Sequence, residues 1–522
     1  MWQYIKNIYI ITFIFSNFVI SNFIYTRSCN LIKFFKYKKS NSKLIKEEKS
    51  KTHSKNLKDS LNLLIGSDEI TNSNIYVPES GLYQNFLITG TIGSGKTSSA
   101  MYPFTRQLLE YNSNHLDSKL GMLILDVKGN YYKQVKKYAE IYNLLNDLIV
   151  IELNSNVFYN PLHKPNLKPQ ILANRLKTIL LLFSENTTES YWLDKAEQVL
   201  SECIKLCRLY NDGYVTFLEL HKLITIPNYY KEKIEILRNL FISSKFSRNQ
   251  IYELNAALDF FQKEFESLDS RTKNILISEI TRITNIFVSD YDIMSTFCSP
   301  KNKLTFNGFD DVLKKGKIVI LNMNISEYTM LSKIIATYLK LDFQTEVMTF
   351  LSKNISKPCA FICDEYDKFA SKTDGEFFSL SREAKCINIV STQSYSSLKT
   401  TLKDDATVKV IIQNLINKIW FRTDDIFTIE EAQKQLGKEE KERISKSISE
   451  SAKETKFSYI TNTLNSENSN ISETYSTYTQ NDFIFEFNFF TQNLETFTAL
   501  TFLSNGNKIC SPQKLKMFPY FK

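Results

Sequence analysis

Eight consecutive residues, Gly90-Thr91-Ile92-Gly93-Ser94-Gly95-Lys96-Thr97, carry the densest chemistry in the chain. They match G-x-x-x-x-G-K-[ST], with an apolar run before them (Phe86–Thr89) and a helix-compatible stretch after. Only 13 of the 522 residues are glycine, so three within six positions mark a backbone that must turn tightly around something. Lacking a Cβ, glycine visits positive φ at little cost, and successive N–H groups can then converge on an anion at a helix N-terminus. In such a phosphate loop the lysine, here Lys96, reaches the β- and γ-phosphates of ATP, and the hydroxyl of Thr97 ligates Mg²⁺.

A phosphate loop needs a carboxylate from a neighbouring strand to complete the magnesium shell. Two apolar runs end in aspartate: "MLILDVKGN" at Asp126, and "AFICDEYDKF" at Asp364-Glu365. Only the second offers an adjacent acid. Hydrolysis asks for one carboxylate on the metal and another to polarise water, so Asp364 is assigned to the metal and Glu365 to the water. For Asp126, a site role and a strand-end cap are equally open. A further run, "INIVSTQ", ends at Gln393; ligands sit beyond the carboxyl ends of parallel strands, so Gln393 is placed to sense the γ-phosphate.

Something must bring these tips together. Short apolar runs predict strands at Phe86–Thr89, Met122–Leu125, Leu148–Leu153, Ile318–Leu321, Ala360–Cys363, Ile387–Ser391, Lys418–Phe421 and Phe497–Phe502. Runs of this kind, alternating with helices, predict an α/β fold whose mostly parallel sheet is covered on both faces. That is the RecA-like P-loop NTPase class, over 76–162 and 301–522. Between them, 163–300 shows only three- and four-residue apolar spacing, as in "YWLDKAEQVLSECIKLCRLY", and is predicted to be an all-α insertion domain. Residues 443–480, dense in Ser, Thr, Asn and Glu, predict a flexible excursion or an exposed hairpin.

The formal net charge is +9, but Arg27 to Lys58 holds eleven Lys or Arg and two Glu, so the rest of the chain balances at zero. Composition therefore gives no case for a DNA-coating surface. The basic block comes after Ile8–Tyr25, 18 uncharged residues that as a helix would span about 27 Å, close to the hydrocarbon thickness of a bilayer. Residues 1–40 are predicted to be a single-pass inner-membrane anchor with a basic juxtamembrane segment. The positive-inside rule puts the C-terminal side of that anchor in the cytoplasm, and 41–75 reads as a linker. The eight cysteines form no CxxC pair and predict buried thiols rather than a metal site.

Taken together, the segments from about Tyr76 onward resemble the type IV coupling proteins of conjugation and type IV secretion, the TraG/TraD group. The resemblance shows in "SGLYQNFLITGTIGSGKT", in "ILDVKGN" (similar to a D-P-K-G-E stretch, with Val127 and Asn130 departing from it), and in "NPL" at Asn160–Leu162. It continues through "CDEYDKF", "SREAKCINIVSTQSYSSLK" and "NKIWFRTDD". It implies a membrane-anchored ATPase that assembles as a homo-hexamer around a pore. Its partners would be relaxosome proteins, relaxase-bound DNA (single-stranded) and the components of a secretion channel. It also implies a role for Arg382 as an arginine finger reaching a neighbouring subunit's site; unaided, Arg382 reads as a surface ion-pairing residue. Two other readings stay open: a DNA pump of the FtsK/HerA type, and a nucleotide-binding adaptor that recruits secreted proteins.

Overall fold

In a computed structural model of the chain, the described residues are 61–522 apart from 116–117, 183–189, 244–246, 324, 452–455, 459–462, 466–469 and 522. The apolar segment 8–25 and the basic block lie outside them. Among the described residues no helix is long and apolar enough to cross a membrane.

The strands are β1 (Asn62–Asp68), β2 (Asn74–Pro78), β3 (Phe86–Thr89), β4 (Gly121–Leu125), β5 (Leu148–Ile151), β6 (Ile318–Leu321), β7 (Cys359–Cys363), β8 (Cys386–Thr392) and β9 (Asn417–Trp420). Then come β10 (Lys438–Ser451), β11 (Lys456–Ser458), β12 (Thr463–Asn465), β13 (Asn470–Phe483), β14 (Thr498–Phe502) and β15 (Gln513–Lys516). Eleven of them make one sheet in the order β2-β1-β15-β14-β9-β3-β8-β7-β4-β6-β5. From β9 to β5 every pairing is parallel; from β9 outward to β2 every pairing is antiparallel.

The parallel strands are largely apolar because both faces are covered, with Asn388 on β8 and Asn417 and Lys418 on β9 among the buried polar exceptions. Along β3, Phe86 and Ile88 enter one core while Leu87 enters the other. On β7, Phe361 and Cys363 face the same core as Leu87, and Ala360 and Ile362 the same core as Phe86 and Ile88. Helices fill both sides, and the 28-residue helix Ile325–Ser352 is the longest among the described residues. Between β5 and β6 every described regular element is helical, among them Pro169–Leu182 and Tyr291–Phe297. The insertion's core runs without a break into one face of the sheet through Leu172, Leu176, Leu200 and Phe217.

One boundary moves. Residues 61–75, read from their polar composition as the end of a linker, instead form β1 and the start of β2 at the sheet's antiparallel edge. Alternating burial along β1 explains the weak apolar signal: an antiparallel strand of this kind buries one row of side chains more deeply than the other. The Ser/Thr/Asn-rich segment is the long antiparallel hairpin β10–β13, in unbroken register from Lys438↔Phe483 to Ser451↔Asn470. Solvent meets both of its faces: Ile444 and Tyr475 on one, Tyr478 on the other, are all exposed.

Candidate active site

The chain leaves the tip of β3 through Gly90 and turns at Gly93 and Gly95, whose φ values of +78° and +105° favour glycine. At Gly95 space is short as well: a Cβ there would lie 2.7 Å from Cδ1 of Phe497. The root of the loop is pinned to the two neighbouring strands. The Gly90 N–H donates to the Gln393 carbonyl beyond β8 (3.3 Å), and the Thr91 N–H to the Arg422 carbonyl beyond β9 (2.8 Å).

Strand β8 lies between β3 and β7, with Thr89 opposite Thr392 and Cys363 opposite Val390. Two strand spacings, about 10 Å, thus separate the phosphate loop from the strand that carries the acids. Thr97 closes that gap: its hydroxyl donates to Asp364 Oδ2 at 2.8 Å. The other carboxylate oxygen of Asp364 accepts from the Ser391 hydroxyl and from the Glu365 N–H at 3.1 Å. The group is buried and held on both sides. Lys96 Nζ donates to the carbonyls of Gly90 (2.5 Å) and Thr91 (3.1 Å). Burial pulls its pKa down, opposed by the charge on Asp364.

Glu365 departs from the strand into the left-handed region at φ +51°, a conformation that costs a non-glycine residue of order 1 kcal/mol. Its Oε1 pairs with Lys128 Nζ at 2.8 Å. Partial burial works against the Lys128 charge, yet the Glu365 carboxylate outweighs it and holds the ammonium above its ordinary pKa.

A cavity of about 390 Å³ opens over these groups. The loop from Thr91 to Ser98, Ser94 excepted, lines one side; Asp364, Glu365 and Gln393 line the strand-tip side; Lys128 and Asn130 come from the turn after β4. Tyr102, Phe497 and Tyr520 add an aromatic wall. Two hard oxygens, Thr97 Oγ1 and Asp364 Oδ2, already touch, which suits a magnesium ion completed by phosphate and water oxygens. Among the described residues no three His, Cys, Asp or Glu side chains cluster into a cage of their own.

The fold thus brings Lys96, Thr97, Asp364, Glu365 and Gln393 to one cavity. Asp126 it does not: the carboxylate is buried and accepts N–H groups from Lys128, Asn130 and Tyr131, each at 3.1 Å. Of the two readings open from sequence, the structure gives the strand-end cap. Burial raises the Asp126 pKa, against the lowering from those backbone donors. Arg382 also lies away from the cavity. It precedes β8, at the end of the strand opposite Gln393, is exposed, and donates to the Gly506 carbonyl at 3.4 Å. Sequence reasoning missed the Lys128 pair, Ser391 and the aromatic wall.

A family profile described as the TraM recognition site of TraD and TraG matches residues 358–482. Among solved structures, the unbound bacterial conjugative coupling protein TrwBΔN70 superposes with a TM-score of 0.54 at 14% identity, covering 87% of this chain and 88% of that one. The plasmid coupling protein TrwB with ADP and Mg²⁺ gives a TM-score of 0.56 at 12% identity, over 88% of this chain and 93% of that one. TrwB with the GTP analogue GDPNP gives 0.56 at 12%, over 88% and 95%. No match was found among curated protein sequences. The structural likeness carries the fold, an α/β architecture with a large, mostly parallel sheet. With the profile match it bears out the resemblance to TraG/TraD-like coupling proteins.

Proposed function

We propose that this chain is the coupling ATPase of a conjugation or type IV secretion machine. It hydrolyses Mg·ATP and uses the cycle to pass relaxase-bound DNA to a channel. The observation that carries this reading is the Thr97–Asp364 contact, which joins the phosphate loop to the acid-bearing strand across β8 in a fold shared with TrwB.

In this reading the loop N–H groups and Lys96 hold the triphosphate, and Lys96 trades its two carbonyl partners for phosphate oxygens. Magnesium, held by Thr97 and Asp364, neutralises charge on the β- and γ-phosphates. Glu365 orients and polarises the attacking water, and Gln393, at the tip of the intervening strand, reports the γ-phosphate. Arg382, at the far end of that strand, serves a neighbouring subunit, making hydrolysis depend on a homo-hexamer. Segment 8–25 anchors the assembly in the inner membrane with the ATPase domain in the cytoplasm. Region 358–482, the part that matches the TraM recognition profile, meets a relaxosome protein.

The test is ATP hydrolysis by the purified full-length chain. DNA should stimulate it and Lys96→Ala should abolish it. Mixing Arg382→Ala with Lys96→Ala subunits should restore part of the activity. No hydrolysis under any oligomer-favouring condition would leave a nucleotide-binding adaptor instead of a motor.

A further inference from the structure

We propose that Phe497 and Tyr520 form the nucleobase side of the cavity, so that the residues just before β14 and just after β15 set nucleotide affinity by stacking on the base. This rests on the nucleotide-binding function proposed for the cavity and adds the half of the ligand that the phosphate loop does not address.

The loop's N–H groups, Lys96 and Thr97 are chemistry for phosphate. A nucleoside triphosphate also carries a flat, apolar ring, and nothing in the Gly90–Thr97 motif receives it. The aromatic wall packed against the loop does. Phe497 lies against Gly95 and donates its N–H to the Ser94 carbonyl at 3.2 Å. Its φ of +66° is unusual for a bulky residue, and the fold holds it there: the Met517 N–H donates to the Phe497 carbonyl at 2.8 Å. Three residues later, the Tyr520 N–H donates to the Ser98 carbonyl at 2.9 Å, in the first helical turn after the loop. Its ring makes a T-shaped contact with Tyr102, with centroids 5.1 Å apart at 88°. Tyr520 remains 42% exposed and borders the cavity. Phe521 bridges the two, 5.9 Å from Phe497 and 5.4 Å from Tyr520.

The polarity fits. Lys96, Asp364 and Glu365 mark the γ-phosphate end, whereas Ser98, where Tyr520 is tied, comes after the motif and faces the α-phosphate end. Stacking on an aromatic face tolerates any base, because every base has a π-face. The wall should therefore separate a nucleotide from a bare triphosphate while distinguishing ATP from GTP only weakly.

The experiment is equilibrium binding of Mg·ATP and Mg·tripolyphosphate to the full-length chain. Wild type should bind ATP at least about tenfold tighter than tripolyphosphate, and Tyr520→Ala should weaken ATP about tenfold while leaving tripolyphosphate within about twofold. Tyr520→Phe should keep wild-type affinity for both, and Phe497→Leu should repeat the selective loss. Equal loss of both ligands would mean that the rings only brace the loop, and no loss of either would mean that they touch neither ligand; both outcomes overturn the proposal. Wild type binding neither ligand would overturn the nucleotide-binding function itself.

Discussion

Two lysine–carboxylate pairs flank the turn after β7, and they are built differently. Lys340, on the long helix Ile325–Ser352, reaches Asp374 at 2.6 Å with both side chains wholly buried. Both charged groups have further partners. Lys340 also donates to the Phe369 carbonyl (2.6 Å) and the Ser371 hydroxyl (2.8 Å). Asp374 also accepts from the Tyr366 hydroxyl (2.5 Å), Gln344 Nε2 (3.1 Å) and the Ser371 N–H (2.9 Å). Lys128 and Glu365 sit at 2.8 Å, but the lysine side chain is 57% exposed and the pair opens onto the cavity. A charge sealed in with a full set of partners fixes a shape. One held by a single solvated partner can be released, and release is what a group that must turn toward water requires.

The sharpest way to break this contrast is to remove one lysine at a time. Lys340→Met leaves the Asp374 carboxylate buried without its cation, which should lower the unfolding free energy by about 3–5 kcal/mol in denaturant titration. A loss below about 1 kcal/mol would deny the pair its structural role. Lys128→Ala, by contrast, should change stability by no more than about 1 kcal/mol, as expected for a solvated pair. Its effect should emerge in ATP hydrolysis without DNA, which should rise severalfold as Glu365 loses its competing partner. A large loss of stability in Lys128→Ala would erase the distinction between the pairs.

The same contrast explains what was legible in the sequence. Gly90–Thr97 and Asp364-Glu365 stood out because their chemistry needs particular residue types side by side at strand tips. The parallel strands stood out because burial on both faces writes unbroken apolar runs such as "FLIT" and "CAFIC". The antiparallel strands write weaker signals. In β15, "QKLK", only Leu515 is buried, and in β1 the half-buried Asn62 and Ser67 dilute the pattern. Pairings made only in three dimensions left no local mark. Lys128 sits in a stretch that departs from D-P-K-G-E at Val127 and Asn130, and nothing near it announces Glu365. Phe497 and Tyr520 are remote from the loop they wall, among many other aromatics, and only the antiparallel return of β14 and β15 brings them to it.

The proposed mechanism stands on Glu365 acting beside the Thr97–Asp364 bridge, and a single-turnover measurement on Glu365→Gln addresses it most directly. With Mg·ATP the full-length variant should bind nucleotide as wild type does and hold it uncleaved, the hydrolysis step slowed by about 10²- to 10⁴-fold. Cleavage at the wild-type rate would contradict the assignment of Glu365 and the mechanism built upon it.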